Sequence, residues 1–204
     1  LISMKITWLN HDCFRIEAAG KVIYTDPFQI DVQEQKADII TISHGHFDHM
    51  SNDDLKKVLK QETKIVTSEE GAKALKCFSL KPGETQDFDG IRLTGVFAYN
   101  LNKFRGPDKP FHPKGEGLGF VIDSEGKRIY HAGDSDAVPE LKDVKADIAL
   151  LPVSGIYVMT AEEAVEAVKM IKPKIAIPMH FGAIVGSAAD AYEFKKMVEE
   201  LNGW

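Results

Sequence analysis

The feature that most constrains the fold of this chain is an internal repeat. The segment IEAAGKVIYTD at 16–26 returns, roughly half the chain later, as IDSEGKRIYHAGD at 122–134. Each copy has the pattern of a β-hairpin with a glycine in its turn and an acidic residue at its end. Two short apolar runs, ADIITIS at 37–43 and ADIALLP at 146–152, repeat the pattern of a buried strand. The repeat predicts two similar α/β halves, at about 4–105 and 115–204.

Helix signals follow each of the two apolar runs. Ser51 with Asp54, and Thr160 with Glu163, have the spacing of a helix capping box. The strands TKIVT at 63–67 and KIAIPM at 174–179 come next, and a final helix is predicted from Ser187, capped with Asp190. Two sheets packed face to face with helices outside, a four-layer αββα sandwich, is the α/β architecture that these elements favour. A chain of 204 residues with 44% hydrophobic content fits one domain, 1–204.

Chemistry is concentrated in the segment SHGHFDHM at 43–50, which holds three of the seven histidines. Imidazole is the commonest metal ligand in proteins, so the cluster predicts a metal site. His44 and His46 leave an extended strand end two residues apart and therefore on the same side, which suits a single ion. Asp48 and His49 follow in a turn and point to a neighbouring position. A second metal site is therefore predicted beside the first.

Two residues far along the chain complete the predicted centre. Asp134 follows the second hairpin, and His180 follows the strand at 174–179. A centre with two metal ions needs a bridging carboxylate and further nitrogen, which these residues offer. The predicted metal ligands are His44, His46, Asp48, His49, Asp134 and His180. Asp48 is also the predicted catalytic residue, since it would orient the nucleophile.

At these residues the sequence resembles the metallo-β-lactamase superfamily of metal-dependent hydrolases. The resemblance rests on the pattern His-x-His-x-Asp-His, a later Gly-Asp and a C-terminal histidine, and on TDPF at 25–28. The opening WLNHDCFRIE is similar to small hydrolases related to L-ascorbate 6-phosphate lactonase. The resemblance implies the metallo-β-lactamase fold and a Zn²⁺ cofactor, up to two ions per chain, with Mn²⁺, Fe²⁺ or Ni²⁺ as alternatives.

One position departs from the pattern of the superfamily, which usually supplies a third histidine to the first metal from the strand end between the halves. Here that place reads FAYN and ends in Asn100. An amide oxygen is a weak zinc ligand, so His112, in the Gly- and Pro-rich loop at 102–117, is the other candidate. Either residue is predicted as the third ligand or as a substrate-binding group. Four basic residues of this loop indicate an anionic substrate: Lys103, Arg105, Lys109 and Lys114.

Three other polar residues are assigned to support rather than to ligation. His11 and Asp26 lie at strand ends of the first half, and Asp26 can hold a ligating imidazole by its second nitrogen. His131 matches no ligand position and is predicted to be structural or to support a ligand.

Charge and hydropathy narrow the function. A net charge of −6 and a pI near 5.7 argue against a nucleic-acid partner. No membrane-spanning or signal segment is recognised, so the expectation is a cytoplasmic protein with a small-molecule substrate, its oligomeric state open. The predicted function is hydrolysis of a small ester, lactone or phosphoester. The alternatives are a di-iron oxygen or nitric-oxide reductase, which typically carries a carboxylate where this chain has His46, and a non-catalytic metal-binding module.

Overall fold

The computed structural model describes residues 4–201 and contains two six-stranded β-sheets. The first sheet is built from the N-terminal strands, paired in sequence order from β1 to β6. These strands are β1 (Lys5–Asn10), β2 (Cys13–Ala18), β3 (Lys21–Thr25), β4 (Ile39–Thr41), β5 (Lys64–Ser68) and β6 (Phe78–Leu80).

The second sheet has the spatial order β14-β13-β12-β11-β8-β7. Its strands are β7 (Thr85–Phe88), β8 (Ile91–Ala98), β11 (Gly117–Ser124), β12 (Lys127–His131), β13 (Ile148–Pro152) and β14 (Ile175–Met179). A small hairpin, β9 (Phe104–Gly106) with β10 (Lys109–Pro110), lies in the loop between β8 and β11.

Residues 4–201 also form four α-helices and one 3-10 turn. They are α1 (Asn52–Val58), α2 (Glu69–Leu75), α3 (Ala161–Ile171), α4 (Ala188–Glu199) and the 3-10 turn Pro139–Asp143. The predicted capping boxes of α3 and α4 are confirmed. At α1, Ser51 accepts the Asp54 N–H as expected, but the Asp54 carboxylate turns to the backbone N–H groups of Gln29 and Ile30. The helix α2 was not predicted from the sequence.

The main core lies between the two sheets. Phe14 and Ile16 of the first sheet and Phe120 and Ile122 of the second belong to one buried cluster, which also includes the inner faces of α3 and α4. A second cluster lies under α1, where Leu55 and other residues cover the outer face of the first sheet. The predicted αββα sandwich is thereby confirmed.

The strand pairing places the boundary between the sheets early in the chain. β7 and β8 lie within the first predicted half, yet both pair in the second sheet, since β8 is hydrogen-bonded to β11. The sheets therefore separate between Leu80 and Thr85. The wider division into a single domain with two similar halves stays a prediction.

The parallel strands of both sheets end at a shared edge. β3, β4 and β5 run parallel in one sheet, and β12, β13 and β14 run parallel in the other. Two backbone bonds join the sheets there: Leu118 N–H donates to Ser43 C=O, and His180 N–H donates to His11 C=O. Loops at the carboxyl ends of parallel strands are where such folds place their chemistry. Among residues 4–201, none of the helices has the length and apolar character needed to cross a bilayer.

Candidate metal centre

The six predicted ligands, which come from three distant parts of the sequence, meet at this edge. The first four follow β4, Asp134 follows β12, and His180 follows β14. Asp134 lies at their centre: its Oδ1 is 3.3 Å from His49 Nε2 and 3.2 Å from His180 Nε2. Its Oδ2 is 3.1 Å from the Nε2 of His112 and 3.8 Å from the Nε2 of His44. One carboxylate therefore faces two groups of nitrogen donors.

The two sheets can approach each other closely here because a glycine lies between them. Gly133 has φ +58°, and a Cβ at that position would lie 2.7 Å from Ser43 Cβ. Only a residue without a side chain fits between the end of β12 and the end of β4. Asp134 is thereby brought next to the histidines that follow Ser43.

The first donor group consists of His44, His46, His112 and Asp134, whose donor atoms all lie within 4.8 Å of one another. His46 Nδ1 is 2.8 Å from His44 Nε2 and 3.3 Å from His112 Nε2. Three histidine nitrogens and one carboxylate oxygen are a suitable donor set for zinc. His112 thus occupies the position for which the sequence left two candidates.

The second donor group contains His11, Asp48, His49 and His180, again with donor atoms within 4.8 Å. Three buried atoms that face one another here have no hydrogen-bond partner within residues 4–201: His49 Nε2, His180 Nε2 and Asp134 Oδ1. Buried polar atoms are normally satisfied, so convergent unsatisfied donors and acceptors indicate a bound ion. These residues fit a second metal.

In His44 and His49, the ring nitrogen that points away from the centre makes a hydrogen bond. His49 Nδ1 is 2.8 Å from Asp26 Oδ2. His44 Nδ1 is 2.9 Å from Ser43 Oγ, whose own proton goes to Asp26 Oδ2 at 2.6 Å. Because each acceptor requires a proton on Nδ1, each Nε2 presents its lone pair to the centre. Asp26 therefore has the supporting position that the sequence predicted.

His112 and His180 are held in the same way by other residues. His112 Nδ1 is 2.9 Å from Asn100 Oδ1, and His180 Nδ1 is 3.1 Å from Ser154 Oγ. Asn100 does not face the centre, since its oxygen also accepts the backbone N–H of His112 at 2.8 Å. Its position suits orientation of His112 better than ligation. Ser43 and Ser154 were missed by the sequence analysis, which had no pattern for serine supports.

His11 lacks this arrangement. Its Nε2 is 3.1 Å from Asp48 Oδ2, and its Nδ1 is buried with no partner among the described residues. A ligating Nε2 would leave an Nδ1–H unsatisfied, whereas donation from Nε2 leaves only an acceptor unpaired. The geometry therefore suits a hydrogen bond that orients Asp48, the supporting role predicted for His11.

Asp12 and His131 lie behind the centre. Asp12 is fully buried, and neither of its carboxylate oxygens has a hydrogen-bond partner in the described part of the chain. His131 Nε2 donates to the Asp12 carbonyl at 2.8 Å, and its Nδ1 accepts the Gly133 N–H at 3.2 Å. The predicted structural role of His131 agrees with these contacts. Nothing in the sequence separated Asp12 from an ordinary turn aspartate.

Charge around the centre sets the protonation of its members. Against the effect of burial, His180 and His49 hold the pKa of Asp134 well below its usual range, and hydrogen bonds from His11 and His49 lower the pKa of Asp48. Burial lowers the pKa of His44. These carboxylates are thus ionised and His44 is neutral near pH 7, the states that bind a metal. Although burial opposes it, the neighbouring carboxylates raise the pKa of both His49 and His180.

A cavity of about 730 Å³ opens beside the first donor group. Its wall includes His44, His46, His112 and Asp134. The other polar side chains of the wall are Ser43, Ser68, Glu70, Lys73, Arg105 and Glu116, and the apolar ones are Met50, Ala74, Ala98, Phe111 and Leu118. The volume and the mixed lining suit a small-molecule substrate.

Of the four basic residues in the loop at 102–117, one lines the cavity. Lys103 pairs with Glu163 at 2.6 Å, Lys114 pairs with Glu140 at 2.6 Å, and neither they nor Lys109 line the cavity. The exception is Arg105, which lines the cavity and donates to the Phe111 carbonyl at 2.7 Å. Among these four residues the predicted anionic substrate therefore depends on Arg105, because acids from distant elements pair with two of the lysines.

Comparison with known proteins agrees with this geometry. Residues 5–180 match the family model described as a beta-lactamase superfamily domain. A metal-dependent hydrolase of Thermoplasma acidophilum is 35% identical over 180 residues, covering 78% of this chain and 75% of that protein. A crystal structure of a metal-dependent hydrolase from Parabacteroides distasonis has a TM-score of 0.87 and 34% identity, covering 97% of this chain and 89% of that one.

A third similarity is to a solved structure from Thermotoga maritima, described as a Zn-dependent hydrolase of the metallo-β-lactamase superfamily. It has a TM-score of 0.65 and 27% identity, and the match covers 96% of this chain and 86% of that one. The matched region includes β1 and extends to His180, so it spans every residue of the centre. On the strength of its fold, its clustered donors and these relatives, this chain belongs to the metallo-β-lactamase superfamily of metal-dependent hydrolases.

Proposed function

We propose that the protein binds two divalent ions and hydrolyses a small anionic ester, lactone or phosphoester. The proposed ligands of the first ion are His44, His46, His112 and Asp134, and those of the second are Asp48, His49, Asp134 and His180. One observation carries the proposal: the two oxygens of Asp134 face separate nitrogen groups, with Oδ1 towards His49 and His180 and Oδ2 towards His112. Zinc is the proposed metal, because histidine nitrogen predominates, with Mn²⁺, Fe²⁺ and Ni²⁺ as alternatives.

Bound metal would supply a water of lowered pKa and would polarise the carbonyl or phosphoryl oxygen of the group under attack. Among the protein side chains, Asp48 has the catalytic role. Its side chain is 13% exposed and accepts a hydrogen bond from His11. Asp48 would orient the nucleophile, because the hydrogen bond from His11 prevents the carboxylate from rotating. His11 is a positioning residue in this scheme.

The substrate class is inferred from the cavity. Its size admits a small molecule, and Arg105 provides a cation within reach of a ligand that also contacts the first donor group. An anionic group placed towards Arg105 would leave the scissile bond near His46 and Asp134. The similarity to L-ascorbate 6-phosphate lactonase-like hydrolases stays a prediction, and a substrate with both a lactone and an anionic group would suit it.

The test is a matched substrate panel assayed with metal-stripped protein and again after Zn²⁺ is restored. The panel contains phosphomonoesters, phosphodiesters, lactones and carboxylic esters, each class in an anionic and a neutral form. We expect turnover only with metal, and faster turnover of the anionic member of a pair. Full activity in the stripped protein, or no turnover of any class after restoration, would contradict the proposal.

The same preparation separates the alternatives. Iron content, colour and reduction of oxygen or nitric oxide would indicate the di-iron reductase, whereas any metal-dependent turnover of the panel excludes the non-catalytic module. The di-iron alternative gains no specific support from the site, where a histidine, His46, stands in the first donor group. Cytoplasmic location, the absence of nucleic-acid and membrane partners, and oligomeric state stay predictions or open questions.

A further inference from the structure

A buried carboxylate, that of Asp12, lies beside the second donor group and has no role in the proposed function. Asp12 is 0% exposed, and both of its oxygens are without hydrogen-bond donors in the described part of the chain. One donor atom each from Asp12, Asp134 and His180 lie within 4.8 Å of one another. Asp12 Oδ2 is also 3.9 Å from His49 Nδ1.

The position of Asp12 is fixed by its backbone. Its carbonyl accepts hydrogen bonds from His131 Nε2 and from Thr25 Oγ1, both at 2.8 Å, in the turn between β1 and β2. These bonds hold the backbone of Asp12 in place, and its side chain is fully buried. Burial raises the pKa of Asp12, so ionisation of this carboxyl has a large desolvation cost, which a cation nearby would offset.

Such a cation is also expected from the balance of charges in the centre. Four carboxylates surround the two donor groups: Asp12, Asp26, Asp48 and Asp134. With neutral histidine ligands, two divalent ions carry the four positive charges that balance them. If Asp12 were replaced by a neutral residue, the loaded centre would hold one uncompensated positive charge in a buried place. Asp12 thus favours the state with two ions over the state with one.

We propose that Asp12 is a fifth protein group of the second metal site, with Asp48, His49, Asp134 and His180. This inference rests on the dinuclear centre of the proposed function. The two sites then differ in kind: the first has three nitrogen donors and one carboxylate, whereas the second has two nitrogen donors and three carboxylates. A site with more carboxylates suits ions that accept a larger number of ligands and that prefer hard oxygen ligands, such as Fe²⁺ and Mn²⁺.

The experiment compares Asp12→Asn with the wild type. Zn²⁺ content is measured per chain over a range of buffered free Zn²⁺, and thermal unfolding is followed with and without Zn²⁺. We expect the affinity for the second ion to fall by roughly 10- to 100-fold, and that for the first to change by no more than about two-fold. Zn²⁺ should therefore raise the unfolding temperature of the variant by less than that of the wild type.

The matched control is Asp38→Asn, a carboxylate-to-amide change at a site that is bonded to Lys60 and lies before the start of β4, whereas the first donors follow the end of that strand. This variant should bind both ions as the wild type does. Equal affinity of Asp12→Asn and wild type for both ions would overturn the inference, and so would an equal rise of the unfolding temperature of the two proteins on adding Zn²⁺. A wild type that binds no transition metal would instead overturn the proposed function.

A measurement on the wild type keeps the inference testable if Asp12→Asn does not fold. Cobalt(II) absorbs visible light strongly in four-coordinate sites and weakly in sites of higher coordination. Stepwise addition of Co²⁺ should therefore give one intense and one weak component. Two equally intense components would show two sites of equal coordination number and would overturn the inference for Asp12.

Discussion

Asn100→Ala removes the residue that fixes the orientation of His112. Asn100 Oδ1 accepts the backbone N–H of His112 at 2.8 Å and its Nδ1–H at 2.9 Å. The amide cannot turn, because its Nδ2 donates to the Tyr157 carbonyl at 2.9 Å and to Asp136 Oδ1 at 3.3 Å. His112 therefore keeps its proton on Nδ1 and its lone pair on Nε2, which lies 3.3 Å from His46 Nδ1.

The size of the effect follows from these contacts. A net hydrogen bond contributes about 0.5–1.5 kcal/mol, and a buried donor left unpaired costs about 1–3 kcal/mol. Two buried donors of His112 lose their acceptor in the variant, so the free energy of unfolding of the metal-free protein should fall by roughly 2–4 kcal/mol. Loss of the partner of a ligating histidine should also lower the affinity for the first ion by roughly 10- to 100-fold, about 1.4–2.8 kcal/mol.

Asn100→Asp is the matched variant, since it keeps an oxygen at Oδ1 for His112. The nitrogen becomes a second oxygen that faces the Tyr157 carbonyl and Asp136, so this variant should also be destabilised. A carboxylate is nevertheless a good partner for a ligating imidazole, so the first ion should be retained. The alanine variant should lose both stability and affinity, and the aspartate variant should lose stability alone.

The assay combines Zn²⁺ content over buffered free Zn²⁺ with denaturant unfolding of the metal-free proteins. Wild-type affinity of the alanine variant for the first ion would refute the reasoning, because the orientation of His112 would then not depend on Asn100. Weaker binding by the aspartate variant than by the alanine variant would refute it as well.

Three further predictions concern the metals and the substrate. Asp134→Asn should lower the content of both ions and the rate together, because a neutral amide is a poorer ligand; normal content with a normal rate would contradict the role of Asp134. The raised pKa values of His49 and His180 stabilise the metal-free fold below the ordinary value of about 6.5, and this contribution is lost as the pH rises through the raised values. Zn²⁺ must displace those protons, so the rise in Tm on adding Zn²⁺ should be larger near pH 8 than near pH 6, and thermal scans showing the reverse would argue against ligation by these rings. Arg105→Met should raise KM for anionic substrates by roughly 10-fold and leave neutral analogues unchanged, which steady-state kinetics on paired substrates would check.

Local patterns accounted for most of the fold. Capping boxes at Thr160 and Ser187, and the apolar runs that became β4 and β13, depend on neighbours in the chain and could be read directly. The allocation of β7 and β8 to the second sheet could not be predicted, since it depends on hydrogen bonds with β11, far along the chain. Strand partners are decided by packing between the sheets rather than by the strand sequences themselves.

For the site, the sequence by itself determined the kind of chemistry. A His-x-His-x-Asp-His run, with an acid and a histidine after later strands, brings metal-binding atoms to strand ends, and parallel strands place those ends at one edge. The tertiary structure decided which groups meet. It set His112 towards the centre with Asn100 behind it, paired Lys103 with Glu163, and buried the carboxylate of Asp12 without a hydrogen-bond donor among residues 4–201. Each of these outcomes depends on contacts between residues distant in the chain, where a shift of about an ångström decides whether an atom binds a metal, donates a hydrogen bond or meets an acid.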